Sequence, residues 1–347
     1  MRFFAFLADD GPAVGLLTGE DTVIRLRSVD GGLDLALAED RLGALIEEGR
    51  ALTSMGAVGR GRAARTATGT RAQPVGDLEP LPAIEFPGKI VCVGLNYADH
   101  VAEGGRAAPE RPILFAKFGN TVVGDGEPII RPEGTHALDL EVELGVVIGH
   151  RARRVAVADA RAYVAGYVVV NDVSARDWQG NPQALRAGEK GDGQWLRAKG
   201  SDTFLPVGPV MTTADAFDLA AGHRIRSWRI PGAGADPSTP PGTLPGTPPR
   251  ALPSTFHGAP ILMQDGTTAD LVHGIPELIE FITRQITLEP GDIIATGTPA
   301  GVGVFRTPPV FLEPGDRVRC EIEGIGAVEN PIIDWFEAPI IETISRS

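Results

Sequence analysis

Apolar and polar residues alternate most regularly between Leu138 and Leu144. Leu138, Leu140, Val142 and Leu144 share one parity, and Asp139, Glu141 and Glu143 the other. A period of two belongs to a β-strand, whose successive side chains point to opposite faces. Glu141 and Glu143 then project side by side, about 7 Å apart along the strand. The run Leu144-Gly145-Val146-Val147-Ile148 that follows predicts a strand entering a core. Two carboxylates on one face of such a strand repel each other unless a cation lies between them or one is protonated. A solvated edge strand would carry the same pattern, so this segment alone leaves both readings open.

The same patterning predicts the other elements. Apolar runs at 3–7, 14–17 and 23–26, joined by Asp9-Asp10-Gly11 and Gly19-Glu20-Asp21, read as a β-meander. Leu37, Leu42, Leu45 and Ile46 keep helical spacing. Residues 49–75 read as a solvated helix and linker, with Arg60, Arg62 and Arg65 as a basic spot. After Pro80-Leu81-Pro82, apolar strands are expected at 90–93, Ile113–Lys117 and 163–170, the last ending at Asn171-Asp172. Ile275, Leu278, Ile279, Ile282 and Ile286 predict a helix with Pro276 in its first turn. Leu-Glu-Pro-Gly-Asp occurs at 288–292 and at 312–316, each time as a strand-entry turn. Eight of the 29 prolines fall in 231–254, which reads as an extended surface loop. The expected organisation is α+β and strand-rich. It has a small N-terminal domain over 1–80 and a larger catalytic domain over 85–345 that carries the 231–254 insertion.

Composition narrows the function. A length of 347 residues favours two domains. A net charge of −13 argues against nucleic acid as a partner. No apolar run approaches the ~20 residues of a membrane span, and 2–7 is too short for a signal-peptide core. Cys92 and Cys320 sit among apolar residues and read as buried thiols. The expected location is the cytoplasm.

Glu141 and Glu143 with Asp172, which closes the longest apolar strand, offer three oxygen ligands for Mg²⁺ or Mn²⁺, with Ca²⁺ as a third candidate. No His or Cys pair has zinc-ligand spacing. His100 and Glu103 are neighbours on a helical turn, where a carboxylate orients an imidazole for general-base work. Only four of the 32 basic residues are lysines: Lys89, Lys117, Lys190 and Lys199. A retained lysine suggests a place for a compact ammonium. Thr296-Gly297-Thr298-Pro299-Ala300-Gly301-Val302-Gly303 lacks the residues of a P-loop and reads as a tight active-site turn.

Taken in order, five stretches resemble the fumarylacetoacetate hydrolase family. They are Gly94-Leu95-Asn96-Tyr97 with His100 and Glu103, Glu141-Val142-Glu143-Leu144, Asn171 to Asp177, Lys199 before Asp202-Thr203, and Thr296 to Gly303. They span roughly 88–335. The resemblance implies a mixed β-sandwich roll, usually a homodimer, with Mg²⁺ or Mn²⁺ on Glu141, Glu143 and Asp172. It implies His100 and Glu103 as a water-activating dyad on a lid, Lys199 and Thr298 in the active site, and Arg176 and Gln179 at the substrate. One departure is the long stretch from Trp228 to Gln264, where members usually have a short hairpin turn. The reaction expected first is hydrolysis of a carbon–carbon bond in an acylpyruvate-like 1,3-diketo acid, with a small-molecule 2-oxo acid as substrate. Decarboxylation or tautomerisation of a compound such as oxaloacetate is the alternative, and a non-catalytic binding module the reading from a different class.

Overall fold

A computed structural model describes residues 1–29, 31–54, 72–232 and 258–338. The basic spot at Arg60, Arg62 and Arg65 and the proline-rich insertion beyond Gly232 lie outside the described residues.

The architecture is α+β and strand-rich. Among the described residues, eleven strands form one mixed sheet and five form a second. At the centre of the large sheet Val142–Ile148 and Val164–Asn171 run antiparallel, with Val142 opposite Asn171. Both are buried along their whole length. Their β-branched runs suit a strand that packs a layer on either face. Ile293–Ala295 pairs antiparallel with Val142–Ile148, Ile90–Gly94 lies parallel to it, and Ile113–Lys117 follows antiparallel. On the other flank Val210–Thr213 links Val164–Asn171 to Arg2–Ala8. The meander Arg2–Ala8, Gly11–Thr18 and Thr22–Arg25 therefore continues the same sheet.

One face of this sheet carries Val142, Leu144, Val146 and Val169, which share a core with Ile225, Val318, Cys320 and Val328 of the five-stranded sheet. The other face carries Val147, Val168, Val170 and Ile293, covered by Leu33, Leu37, Leu45 and Leu52. The helix expected around 37–46 is two helices, Leu33–Ala38 and Leu42–Ser54. The chain turns between them, where Asp40 takes φ 56°, a left-handed conformation that Asp tolerates better than most side chains. The later helix runs Ile275–Thr283, so Ile286 lies beyond its end. Both Leu-Glu-Pro-Gly-Asp copies make one kind of turn. In each the aspartate accepts the N–H of the second residue, at 2.6 Å for Asp292 and 2.9 Å for Asp316. Cys92 and Cys320 are buried free thiols. Among the described residues, no helix is long and apolar enough to cross a membrane.

The central pairing depends on Gly166. A Cβ there would stand 2.4 Å from the Thr212 carbonyl oxygen of the neighbouring strand. Gly166→Ala is therefore expected to lower stability by about 1–3 kcal/mol, the usual range for overpacking, read as a lower urea midpoint. An unchanged midpoint would mean that the two strands part without loss.

Candidate active site

Four strand ends meet at one edge of the large sheet. Ile90–Gly94, Ile293–Ala295 and Val164–Asn171 all finish there, and Val142–Ile148 starts there. The acidic strand is not continuous. Leu138–Asp139 pairs with Ser174–Ala175, and the chain breaks at Leu140-Glu141 before pairing resumes at Val142. Side chains replace the missing ladder bonds: the Glu141 N–H donates to Asn171 Oδ1 at 2.9 Å and the Val142 N–H to Gln264 Oε1 at 3.0 Å. The break parts Asp139 from the two glutamates. Asp139 accepts from Arg176 Nε and from the Gly303 and Val304 N–H groups instead.

Glu141, Glu143 and Asp172 do come together. All three are buried, and one carboxylate oxygen from each lies within 4.8 Å of the others. Their environments differ. Glu141 Oε1 lies 2.7 Å from Arg176 Nη2 in an ion pair, and Glu141 Oε2 receives Lys199 Nζ at 2.7 Å. Asp172 Oδ2 receives Lys199 Nζ at 2.7 Å, and Asp172 Oδ1 lies 2.8 Å from Lys117 Nζ. Among the described residues no cation pairs with Glu143; its Oε2 accepts the Gly297 N–H at 2.8 Å. Burial opposes ionisation of Glu141, but Lys199, Arg176 and His100 outweigh it and hold its carboxyl below the usual range. Burial, then the charges of Asp172 and Glu141, push Glu143 well above that range, against Lys199 and the Gly297 N–H. The repulsion foreseen from the sequence is thus met unequally: the cations lie against Glu141, and the protonated form is favoured at Glu143.

Beside the cluster lies a cavity of about 400 Å³, lined by Glu141, Glu143, Lys199, Thr298, His100, Arg176 and Gln179 among others. Helix Ala98–Glu103 brings His100 Nδ1 to 2.7 Å from Glu103 Oε1. A carboxylate only accepts, so Nδ1 carries a proton, and in the neutral imidazole Nε2 is then the nitrogen with the lone pair. The Gly301 N–H fixes Glu103 Oε2 at 2.9 Å and the Ala300 N–H contacts Asp99 at 3.2 Å. The loop after Ile293–Ala295 therefore aims backbone N–H groups at carboxylates from three segments. Gly297 is essential to that course: it takes φ 101°, and a Cβ there would meet the Asn96 side chain at 2.9 Å. Thr298 Oγ1 donates to the Val142 carbonyl at 2.8 Å and accepts from Gln264 Nε2 at 2.7 Å. Arg176 Nη1 donates to Gln179 Oε1 at 3.1 Å, which ties the two expected substrate contacts together.

A fumarylacetoacetate hydrolase C-terminal model matches residues 89–333. The chain belongs to the fumarylacetoacetate hydrolase family. It is 38% identical over 339 residues to a Bos taurus protein named oxaloacetate tautomerase FAHD2B, mitochondrial, covering 96% of this chain and 92% of that one. It is 36% identical over 339 residues to the Homo sapiens oxaloacetate tautomerase FAHD2A, mitochondrial, with the same coverage. Among solved structures it is similar to a 2-hydroxyhepta-2,4-diene-1,7-dioate isomerase from Mycobacterium marinum, with 30% identity, a TM-score of 0.65 and coverage of 96% and 99%. It is also similar to a fumarylacetoacetate hydrolase from Exiguobacterium antarcticum, with 28% identity, a TM-score of 0.71 and coverage of 96% and 99%. The relatives' names carry a mitochondrial location, where the sequence reading expects the cytoplasm.

Three further residues stand at the site that were given no role in it from the sequence. Lys117 is buried, and its ammonium also donates to the carbonyls of Val173 at 3.1 Å, Phe204 at 2.7 Å and Lys199. The scarcity of lysine marked it equally with Lys199. Gln264, fully buried, joins the second sheet to Val142 and Thr298, and no local pattern announced it. Arg106 lines the cavity and, among the described residues, has no side-chain partner. Three carboxylates form a donor set suited to Mg²⁺ or Mn²⁺, and Glu143 is the member that a divalent ion would let ionise.

That unequal pair has a measurable consequence. A carboxyl with a raised folded pKa contributes stability present below its unfolded value, 4.5 for Glu143, and lost as the pH rises through the folded value. Glu143→Gln keeps the hydrogen-bonding shape of the protonated acid without the titration. In chelator, the variant is expected to gain stability over wild type from pH 5 to pH 8, read by thermal melts. Its Mg²⁺ affinity by calorimetry should fall at least about tenfold. Equal affinity in the two proteins would remove Glu143 from the ligand set.

Proposed function

We propose that this protein is a metal-assisted tautomerase that interconverts the keto and enol forms of a short 2-oxo dicarboxylic acid of the oxaloacetate type. The observation that carries the reading is the oriented His100–Glu103 pair beside the three-carboxylate cluster, in a chain 38% identical to a protein named for that reaction.

Enolisation moves one proton from the carbon next to a carbonyl to the carbonyl oxygen. Glu103 holds the proton on His100 Nδ1, so Nε2 is the atom that takes the carbon-bound proton. The imidazolium formed is stabilised by Glu103 and returns a proton to the oxygen. Bound on Glu141, Glu143 and Asp172, Mg²⁺ or Mn²⁺ would supply positive charge to the 2-oxo acid group, the electrostatic term that lowers the barrier. Lys199 adds a further positive charge at the same end of the cavity. Arg176 is taken up by Asp139 and Glu141, whereas Gln179 keeps its amide N–H groups for substrate. The unpartnered Arg106 supports a second carboxylate on the substrate, which distinguishes a dicarboxylic acid from pyruvate.

Hydrolysis of an acylpyruvate, the first expectation from the sequence, would set the same His100 on water. The tautomerase names of the relatives at 36–38% identity favour the transfer that needs no water. Decarboxylation would also use the metal end of the cavity, without the need for a base.

The test is an ultraviolet assay of oxaloacetate ketonisation, run beside a panel of acylpyruvates with added Mg²⁺ or Mn²⁺. Wild type is expected to accelerate ketonisation above the spontaneous rate. His100→Ala should lower kcat by about 10²–10⁴-fold, the range of general-base catalysis, with Mg²⁺ binding retained. Arg106→Ala is expected chiefly to raise KM for oxaloacetate. Acylpyruvate cleavage without faster ketonisation would replace the tautomerase with the hydrolase.

A further inference from the structure

The ligand cluster contains more positive charge than three metal ligands need. Of its six carboxylate oxygens, three accept hydrogen bonds: Glu141 Oε2 and Asp172 Oδ2 from Lys199, and Glu143 Oε2 from Gly297. Glu141 Oε1 and Asp172 Oδ1 are ion-paired with Arg176 and Lys117 without a hydrogen bond, and Glu143 Oε1 has neither among the described residues.

These cations are not equally fixed. Lys117 is bound by Asp172 and by several backbone carbonyls, with no exposed side-chain surface. Arg176 is divided between Asp139 and Glu141. Lys199 ends the short helix Trp195–Lys199 and lines the cavity. Its ammonium sits 2.7 Å from both Glu141 Oε2 and Asp172 Oδ2. A Mg²⁺ ion must approach carboxylate oxygens to about 2.0–2.1 Å, so the cradle that suits the ion is the one that holds this ammonium. Charges of like sign at that separation repel strongly in a buried site. Lys199 already leans on an aromatic face: its Nζ lies over the Phe115 ring, 5.3 Å from the centroid, and that ring is part of the cavity wall, so an ammonium drawing back from the carboxylates keeps a cation–π partner.

We propose that Lys199 contends with the divalent cation for Glu141 Oε2 and Asp172 Oδ2, and swings toward Phe115 and the cavity when the metal binds. Lys199 is thus the counter-ion that keeps buried carboxylates paired before metal arrives. Metal loading releases its charge to the substrate side. The inference rests on the metal assignment of the three carboxylates and not on which reaction follows.

Isothermal calorimetry with Mg²⁺ and Mn²⁺ on the chelator-stripped full chain tests it. Lys199→Met removes the rival charge, and is expected to bind Mg²⁺ at least about tenfold more tightly than wild type. Its thermal midpoint without metal should fall, and the rise on adding Mg²⁺ should exceed that of wild type. Lys199→Arg keeps the charge and should gain no affinity. A purely structural lysine predicts the opposite, because losing it would disorder the ligand oxygens and weaken binding. Equal or weaker Mg²⁺ binding by Lys199→Met therefore overturns the proposal. If that variant does not fold, Lys199→Gln, neutral but still a hydrogen-bond donor, is read by the same criterion. Absence of Mg²⁺ and Mn²⁺ binding in wild type and in every variant would remove the metal assignment, and the contention with it.

Discussion

Buried charge has to be neutralised where it lies, and the site is built around that constraint. Asp139, Glu141, Glu143, Asp172, Lys117, Arg176 and Lys199 are all buried. Leaving one such charge unpaired costs several kcal/mol, so each needs a partner in reach. Four acids face three bases. The acid left over is Glu143, which among the described residues keeps only a backbone N–H, and its surroundings favour the protonated form. The 296–303 loop and the end of helix Trp195–Lys199 bring such partners into place, the Gly297 N–H against Glu143, the Gly303 N–H against Asp139 and Lys199 against Glu141 and Asp172.

The acid pair was legible in the sequence because alternation survives in primary structure. Glu141 and Glu143 share a parity whatever the surroundings. The strand break at Leu140 was not legible, since it depends on Asn171 and Gln264 offering side-chain oxygens from distant segments. For the same reason Asp139 shared the parity of the glutamates without sharing their site. His100 and Glu103 were readable as an i, i+3 pair. What fixes Glu103 against Gly301 was not.

Lysine scarcity shows how composition can inform, and where it stops. In a chain that uses arginine for most cations, three of its four lysines meet a carboxylate: Lys89 with Asp292, Lys117 with Asp172, and Lys199 with Glu141 and Asp172. The statistic marked these positions but could not rank them, because partners lie up to about two hundred residues away along the chain. The turns were the easier part. Leu-Glu-Pro-Gly-Asp folds the same way twice because the bond that closes each turn, from the Glu N–H to the Asp carboxylate, is local. The single helix expected near Leu37 failed where periodicity crossed a turn at Asp40.

The convergence of four strand ends carries one more consequence. Helix Ala98–Glu103, the strand from Val142, Asp172 and the 296–303 loop reach the cavity only after pairings between remote stretches have closed. Such contacts form late, because loop closure must be met before they reward the chain. A species that lacks any of these pairings lacks part of the constellation, so a ligand that needs all of it binds the completed assembly best. Occupancy of the cavity is therefore a report on the tertiary structure as a whole and not on any one element within it.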